Sequence, residues 1–131
     1  MPGKKTVLIT MLVLIIAAFI MLAIFPPNSN LEFNERVTSI EVYNHQADEL
    51  IDTITDTTFI KELMKELDNS RTGLVSSHDA GSPSYNLVFK SNQKKALELG
   101  YYLDAIYADG ISGRYVGSDV IYGVTLQLPL E

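Results

Sequence analysis

Residues 6–25 read TVLITMLVLIIAAFIMLAIF, twenty residues without a charge, and the only polar side chains among them are Thr6 and Thr10. No other stretch limits the chain so strongly. A helix of that length rises ~30 Å, which matches the hydrocarbon core of a bilayer. In lipid a helix satisfies every backbone group within itself, so this is the conformation the run favours. A secretory leader carries a shorter apolar region, roughly 7–15 residues, that ends at a small-x-small cleavage site. Here Ala17-Ala18-Phe19 and Ala23-Ile24-Phe25 both place Phe where a small residue is needed. The run therefore predicts an uncleaved signal-anchor helix over 6–25 that holds the chain in the lipid bilayer. Cleavage near Asn28 or Ser29 is the alternative.

The flanks set the expected orientation. Lys4 and Lys5 precede the run, and the first charges after it are Glu32 and Glu35. Positive charge stays on the cytoplasmic side. Residues 1–5 are then a cytoplasmic tip, and the chain is a single-pass protein of the cell membrane with its C-terminal part outside. Pro26-Pro27 ends the helix, because proline has no N–H and forces its predecessor toward extended geometry. Residues 26–35 read as a linker, and 36–131 as one extracytoplasmic domain of ordinary size.

Composition narrows the chemistry. The chain contains no cysteine, which excludes disulfides, thiolate zinc sites and a lipid-modified cysteine. That usage fits an exported protein of a Gram-positive bacterium. All 16 acidic residues follow the apolar run, against eight basic ones, a net charge of −8 for that part. Nucleic acid rewards clustered Lys and Arg, so it is not an expected partner. No motif for a cofactor is present.

Residues 36–44 (RVTSIEVYN) and 50–55 (LIDTIT) are rich in β-branched side chains and predict a hairpin of two strands. In DTTFIKELMKELDNS, Phe59, Ile60, Leu63, Met64 and Leu67 recur at helical spacing. Asp56 is the expected N-cap, and Asn69-Ser70 the close. Beyond it the period changes to two. Residues 71–77 predict a short strand and 78–83 a loop. Tyr85, Leu87 and Phe89 alternate with Asn86, Val88 and Lys90. After a turn at Ser91-Asn92-Gln93, Leu97, Leu99, Tyr101 and Leu103 share a face. Residues 104–110 read as a longer connection, ISGRYV as a short strand, and 120–128 as a strand with Val120, Tyr122, Val124, Leu126 and Leu128 inward. The expected fold class is α+β: one amphipathic helix on an antiparallel sheet, ββα followed by a β-meander. The far face, with Tyr102, Thr125, Gln127, Asn86 and Lys90, is expected to be wet.

The order SIEVYN, LIDTITD, FIKELMKEL, PSYNLVF, LELGYY, GRY and YGVTL resembles the YhfM-like domain over about residues 36–128. That is a small family of membrane-attached proteins of bacilli. The resemblance implies an envelope address and a fold; it implies no reaction and no catalytic residues.

No catalytic set is legible. His78-Asp79 beside Ser76-Ser77 is adjacency, not a triad, and no G-x-S-x-G elbow exists. His45 falls in the first hairpin turn, and the two histidines make no ligand pair. Asp104, Asp109 and Asp119 lie in or beside loops; were they to meet at one sheet edge they would suit Ca²⁺. GISGRYVG lacks the spacing of a phosphate loop. Tyr102, Tyr107, Arg114 and Tyr115 remain: an arginine beside aromatic rings can grip a carboxylate while stacking, and tyrosine suits binding surfaces as well as cross-strand packing. The reading is a non-catalytic binding module at the envelope, with those four residues as its contact surface and an envelope protein or ligand as partner. The alternatives are a small enzyme or Ca-type binder using the loop aspartates, and an accessory subunit of a membrane complex.

Overall fold

The computed structural model of the chain describes residues 3–24, 30–31, 35–75 and 81–130. Helix α1 (Lys4–Ile24) is apolar on all sides, and none of it from Lys4 to Met21 is buried against the rest of the chain. Thr10 donates its hydroxyl to the carbonyl of Thr6, so that polar group is satisfied within the helix. Among the described residues α1 alone is long and apolar enough to cross a membrane, which suggests a membrane anchor. Pro26-Pro27, Asn28-Ser29, Ser76-Ser77 and His78-Asp79 lie outside the described residues.

The remainder is an α+β fold: β1 (Ser39–Asn44), β2 (Leu50–Ile54), α2 (Thr57–Asn69), β3 (Thr72–Leu74), β4 (Tyr85–Ser91), β5 (Lys94–Ala108), β6 (Ile111–Val116) and β7 (Val120–Tyr122). The strands form one open antiparallel sheet in the order β2-β1-β4-β5-β6-β7-β3. Strands β4 to β7 are a meander. Strand β3 departs from it: it joins the far edge beside β7, so α2 connects the two opposite edges of the sheet. Asp56 caps α2 as its chemistry predicts, accepting from the N–H of Thr58 at 3.0 Å and of Phe59 at 3.3 Å. Ile60, Leu63 and Leu67 are the buried stripe, each worth ~1.5–3 kcal/mol of apolar transfer. They share one core with Ile40, Val42, Leu87, Phe89 and Leu99.

The register aligns one row across six strands: Asn44, Tyr85, Tyr101, Tyr115, Tyr122 and Thr72. Its four tyrosines belong to the face that packs toward α2. Tyr85 and Tyr101 stack at 6.1 Å between ring centroids, and Tyr101 meets Tyr115 edge-on at 5.3 Å. Both geometries are favourable for ring quadrupoles.

Three expectations give way. Residues 104–110 are not a long connection, because β5 continues to Ala108 and turns at once through Asp109 (φ 50°) and Gly110 (φ 76°). Two successive positive φ values make the tight turn whose twist matches paired strands. The far face is not simply wet: Ile111, Val116 and Ile121 are buried there with Tyr102, Ile106 and Ala108 against them. Lastly, β7 ends at Tyr122, since Val124 N–H bonds back to the Tyr122 carbonyl at 2.7 Å and bends the chain. Residues 124–130 keep their alternation, but they strap the core rather than add a long strand: Val124 and Leu128 are buried, and Pro129 and Leu130 reach the β2 edge beside Ile51.

The open edges are guarded. Strand β3 has three residues, and β2 is bulged and binds its own Thr53 N–H with the Asp52 carboxylate at 2.8 Å. Both devices discourage pairing with a foreign strand.

Candidate functional site

Between the pairs Tyr101↔Tyr115 and Ile106↔Gly113 the ladder of β5 and β6 is broken. Residues 102–105 of β5 there oppose Arg114 alone. Such an excess bends the bulged strand and re-aims its side chains. Leu103, expected beside Leu99 and Tyr101, is thrown outward and is 57% exposed. Beyond the bulge β5 has no β4 partner, so β5 and β6 continue as a two-stranded arm. Tyr107 stands on that arm, 75% exposed.

Arg114 holds the base of the arm. Its N–H donates to the Val124 carbonyl at 2.9 Å, its Nε to Thr125 O at 3.2 Å and its Nη1 to Tyr102 O at 3.4 Å. The guanidinium therefore fills the bulge and pins the C-terminal strap, with only part of its donor fork left for an anion.

The four candidate residues do not make one surface. Tyr115 is 0% exposed and is core. Its hydroxyl donates to Leu126 O at 2.8 Å, and burial pushes its phenol well above the ordinary value. Tyr102 is half-buried, donates to Gly81 O at 3.0 Å and has its phenol raised by burial as well. Tyr107 is open to solvent, and Arg114 lies between them. What faces outward is Tyr107 with Leu103, a residue that alternation alone assigns to the core. Asp109 lies in the turn before β6 and Asp119 in the turn after it. Among the described residues no three His, Asp or Glu side chains converge to hold a metal.

His45 is not an open turn residue: its Nδ1 lies 3.0 Å from Asn86 Oδ1. It borders an open depression of about 640 Å³ with Pro83 and Gln46. A second depression, of about 440 Å³, lies between the last turn of α2 and the strap, with Glu66 as its charged residue.

One site is invisible in the sequence. Asn30, expected within the linker, is already bound to the domain. Its N–H donates to Asp68 O at 3.0 Å, and its Nδ2 to Leu67 O and Ser70 O, both at 2.8 Å. The Leu31 N–H adds a bond to Asp68 Oδ1 at 3.0 Å. The last carbonyls of a helix lack intrahelical partners, and Asn30 supplies them from 37 residues away. Asn30→Ala is expected to lower stability by about 1–3 kcal/mol, two bonds at ~0.5–1.5 kcal/mol each. Urea unfolding of the full chain in detergent micelles measures it.

Comparison with protein-family models, curated proteins and solved structures found no match.

Proposed function

We propose that the chain is a single-pass membrane protein, retained by α1 with its N-terminus cytoplasmic, whose outer domain is a binding module and not an enzyme. Kinship with YhfM-like domains belongs to the same proposal and rests on the motif order alone. The observation that carries the reading is the β5 bulge with the arm beyond it, the first exposing Leu103 and the second Tyr107. Exposed apolar and aromatic side chains on a rigid, hydrogen-bonded element are what contact surfaces use. Arg114 fixes the arm, and the lysines before α1 support the orientation. Among the described residues, the Nδ1 of His45 is already engaged with Asn86.

A photo-reactive phenylalanine in place of Tyr107 tests the surface in intact membranes. The expected result is a covalent adduct, to lipid or protein, that an identical probe at Lys61 on α2 does not form. Absence of any adduct at position 107 overturns the assignment of the arm.

A further inference from the structure

We infer that the Asn30 clamp decides which end of the domain meets the bilayer: the β5–β6 arm with Tyr107 lies at the lipid headgroups, and the β4–β5 turn points away. The inference rests on the reading of α1 as a retained anchor, and it names the partner of the arm as the polar interface of the membrane that α1 crosses.

The first step is reach. Helix α1 runs from Lys4 to Ile24, and its uncharged part from Thr6 on rises ~28 Å at 1.5 Å per residue, which places Ile24 at about the boundary of a ~30 Å hydrocarbon layer. Asn30 is six Cα-to-Cα steps further on, at most about 22 Å. The headgroup layer takes up roughly 5–7 Å of that. About 15 Å then remains, whereas a domain of some 100 residues has a radius of gyration near 13 Å and so a width of roughly 33 Å. The clamp is too close to Ile24 to sit on the far side of the domain. The C-terminal end of α2 must face the membrane.

The second step is which other elements share that end. Thr72, two residues past Ser70, lies in the tyrosine row. From that row β5 runs on to Ala108, and β6 starts at Ile111 on the same side. The arm folds back onto the start of β3: a Cβ placed on Gly73 stands 3.3 Å from Ala108 O and 3.2 Å from Ile111 Cδ1. The arm and the clamp are therefore neighbours. The β4–β5 turn at Asn92-Gln93 lies the other way. From Tyr101 back to Lys94 is seven residues of strand, ~23 Å.

The third step is chemistry. Tyrosine, with an apolar ring and a polar tip, is enriched at the headgroup level of membranes. Leu103, exposed in the bulge at the base of the arm, adds apolar area. Asp104 and Asp109 are exposed on the same arm, and their carboxylates oppose insertion into hydrocarbon. Contact at the headgroups is what this set of side chains allows.

The chain contains no tryptophan, so one introduced tryptophan reports one position without background. Tyr107→Trp and Lys94→Trp are each made in the full chain and reconstituted into phosphatidylcholine vesicles with a dansyl-labelled headgroup. Energy transfer from the indole at position 107 is expected to exceed that from the indole at position 94 severalfold. Adding Asn30→Ala, which loosens the clamp, is expected to bring the two efficiencies closer. Equal transfer from both positions with Asn30 intact, or stronger transfer from position 94, overturns the inference. Flotation of the same vesicles separates the underlying reading: a chain that stays out of the vesicle fraction has no membrane anchor, and both statements then fall together.

Discussion

Urea unfolding of the full chain is expected to show Tyr115→Ala destabilised by about 3–5 kcal/mol, the range for emptying a large aromatic site in a packed core. Tyr115 is among the largest side chains the domain buries completely. Its loss removes the edge-on contact with Tyr101 and the bond to Leu126 O. The strap is then held at Val124 and Thr125 by Arg114 and at Leu128 N–H by the Tyr101 hydroxyl, at 3.3 Å. A domain of this size is stable by only ~5–15 kcal/mol, so the variant is expected to be partly unfolded at 37 °C. Tyr115→Phe separates ring from hydroxyl. It keeps the packing and loses one hydrogen bond, about 1 kcal/mol, plus the cost of an unpaired carbonyl. A loss for Phe as large as for Ala excludes ring packing as the main term.

The same burial predicts an alkaline limit. The phenol of Tyr115 is raised in the folded state by burial first, with Tyr101 adding to it. An unfolded tyrosine releases its proton near pH 10. Below that pH both states keep the proton and the stabilisation is complete. Above it the unfolded state binds fewer protons, so stability falls as pH rises toward the folded value. Tyr115→Phe is expected to flatten that fall.

How much of this is legible in the sequence depends on the range of the interaction. The α2 stripe and its Asp56 cap are local patterns, read directly from a few neighbouring residues. The Asp109-Gly110 turn is equally local, a dipeptide that favours tight hairpins. Its signal is masked because Asp104 and Ala105 interrupt the alternation of β5. That interruption is the bulge itself, where the strand exposes Leu103. The strap shows the opposite limit. Its alternation says extended chain with one apolar face, and it does carry one. Nothing in residues 120–128 says that Gly123 must bend the chain away from β7, because the partner that forces the approach is the carbonyl of Arg71, 52 residues earlier. Asn30 has no local signature at all. An asparagine after two prolines reads as linker until the end of α2 is placed beside it.

The candidate site divides in the same way. Alternation places Tyr85, Tyr101 and Tyr122 each with the apolar residues of its own strand, but only the register brings Tyr115 into line with them. Once that row is seen, tyrosine content ceases to argue for a recognition surface. Four of the seven tyrosines are a packing ladder under α2. Tyr107 is distinguished from them by standing beyond the bulge, where β4 no longer covers β5.

Gly113→Ala is the sharpest test of how the arm is joined to the sheet. A Cβ on Gly113 falls 1.9 Å from the Tyr122 carbonyl oxygen and 3.1 Å from Ile121 Cγ2. The first contact is with backbone, which no rotamer change relieves. Either β6 lifts from β7, breaking the pairs Tyr115↔Tyr122 and Val116↔Ile121, or the strap detaches from the Arg114 N–H. Overpacked cores lose ~1–3 kcal/mol, and a clash between two strand backbones belongs at or above the top of that range, about 3 kcal/mol. Gly117→Ala is the control, because its nearest contacts, 3.7 Å to Leu99 Cδ2 and 3.8 Å to Tyr122 Cε2, are ordinary van der Waals distances. It is expected to fall within ~0.5 kcal/mol of the parent, as substitutions without strain do. Urea midpoints for the two variants decide the matter: if Gly113→Ala matches Gly117→Ala, β6 does not cross β7 as closely as described. The arm then lacks the rigid base that its role at the membrane requires.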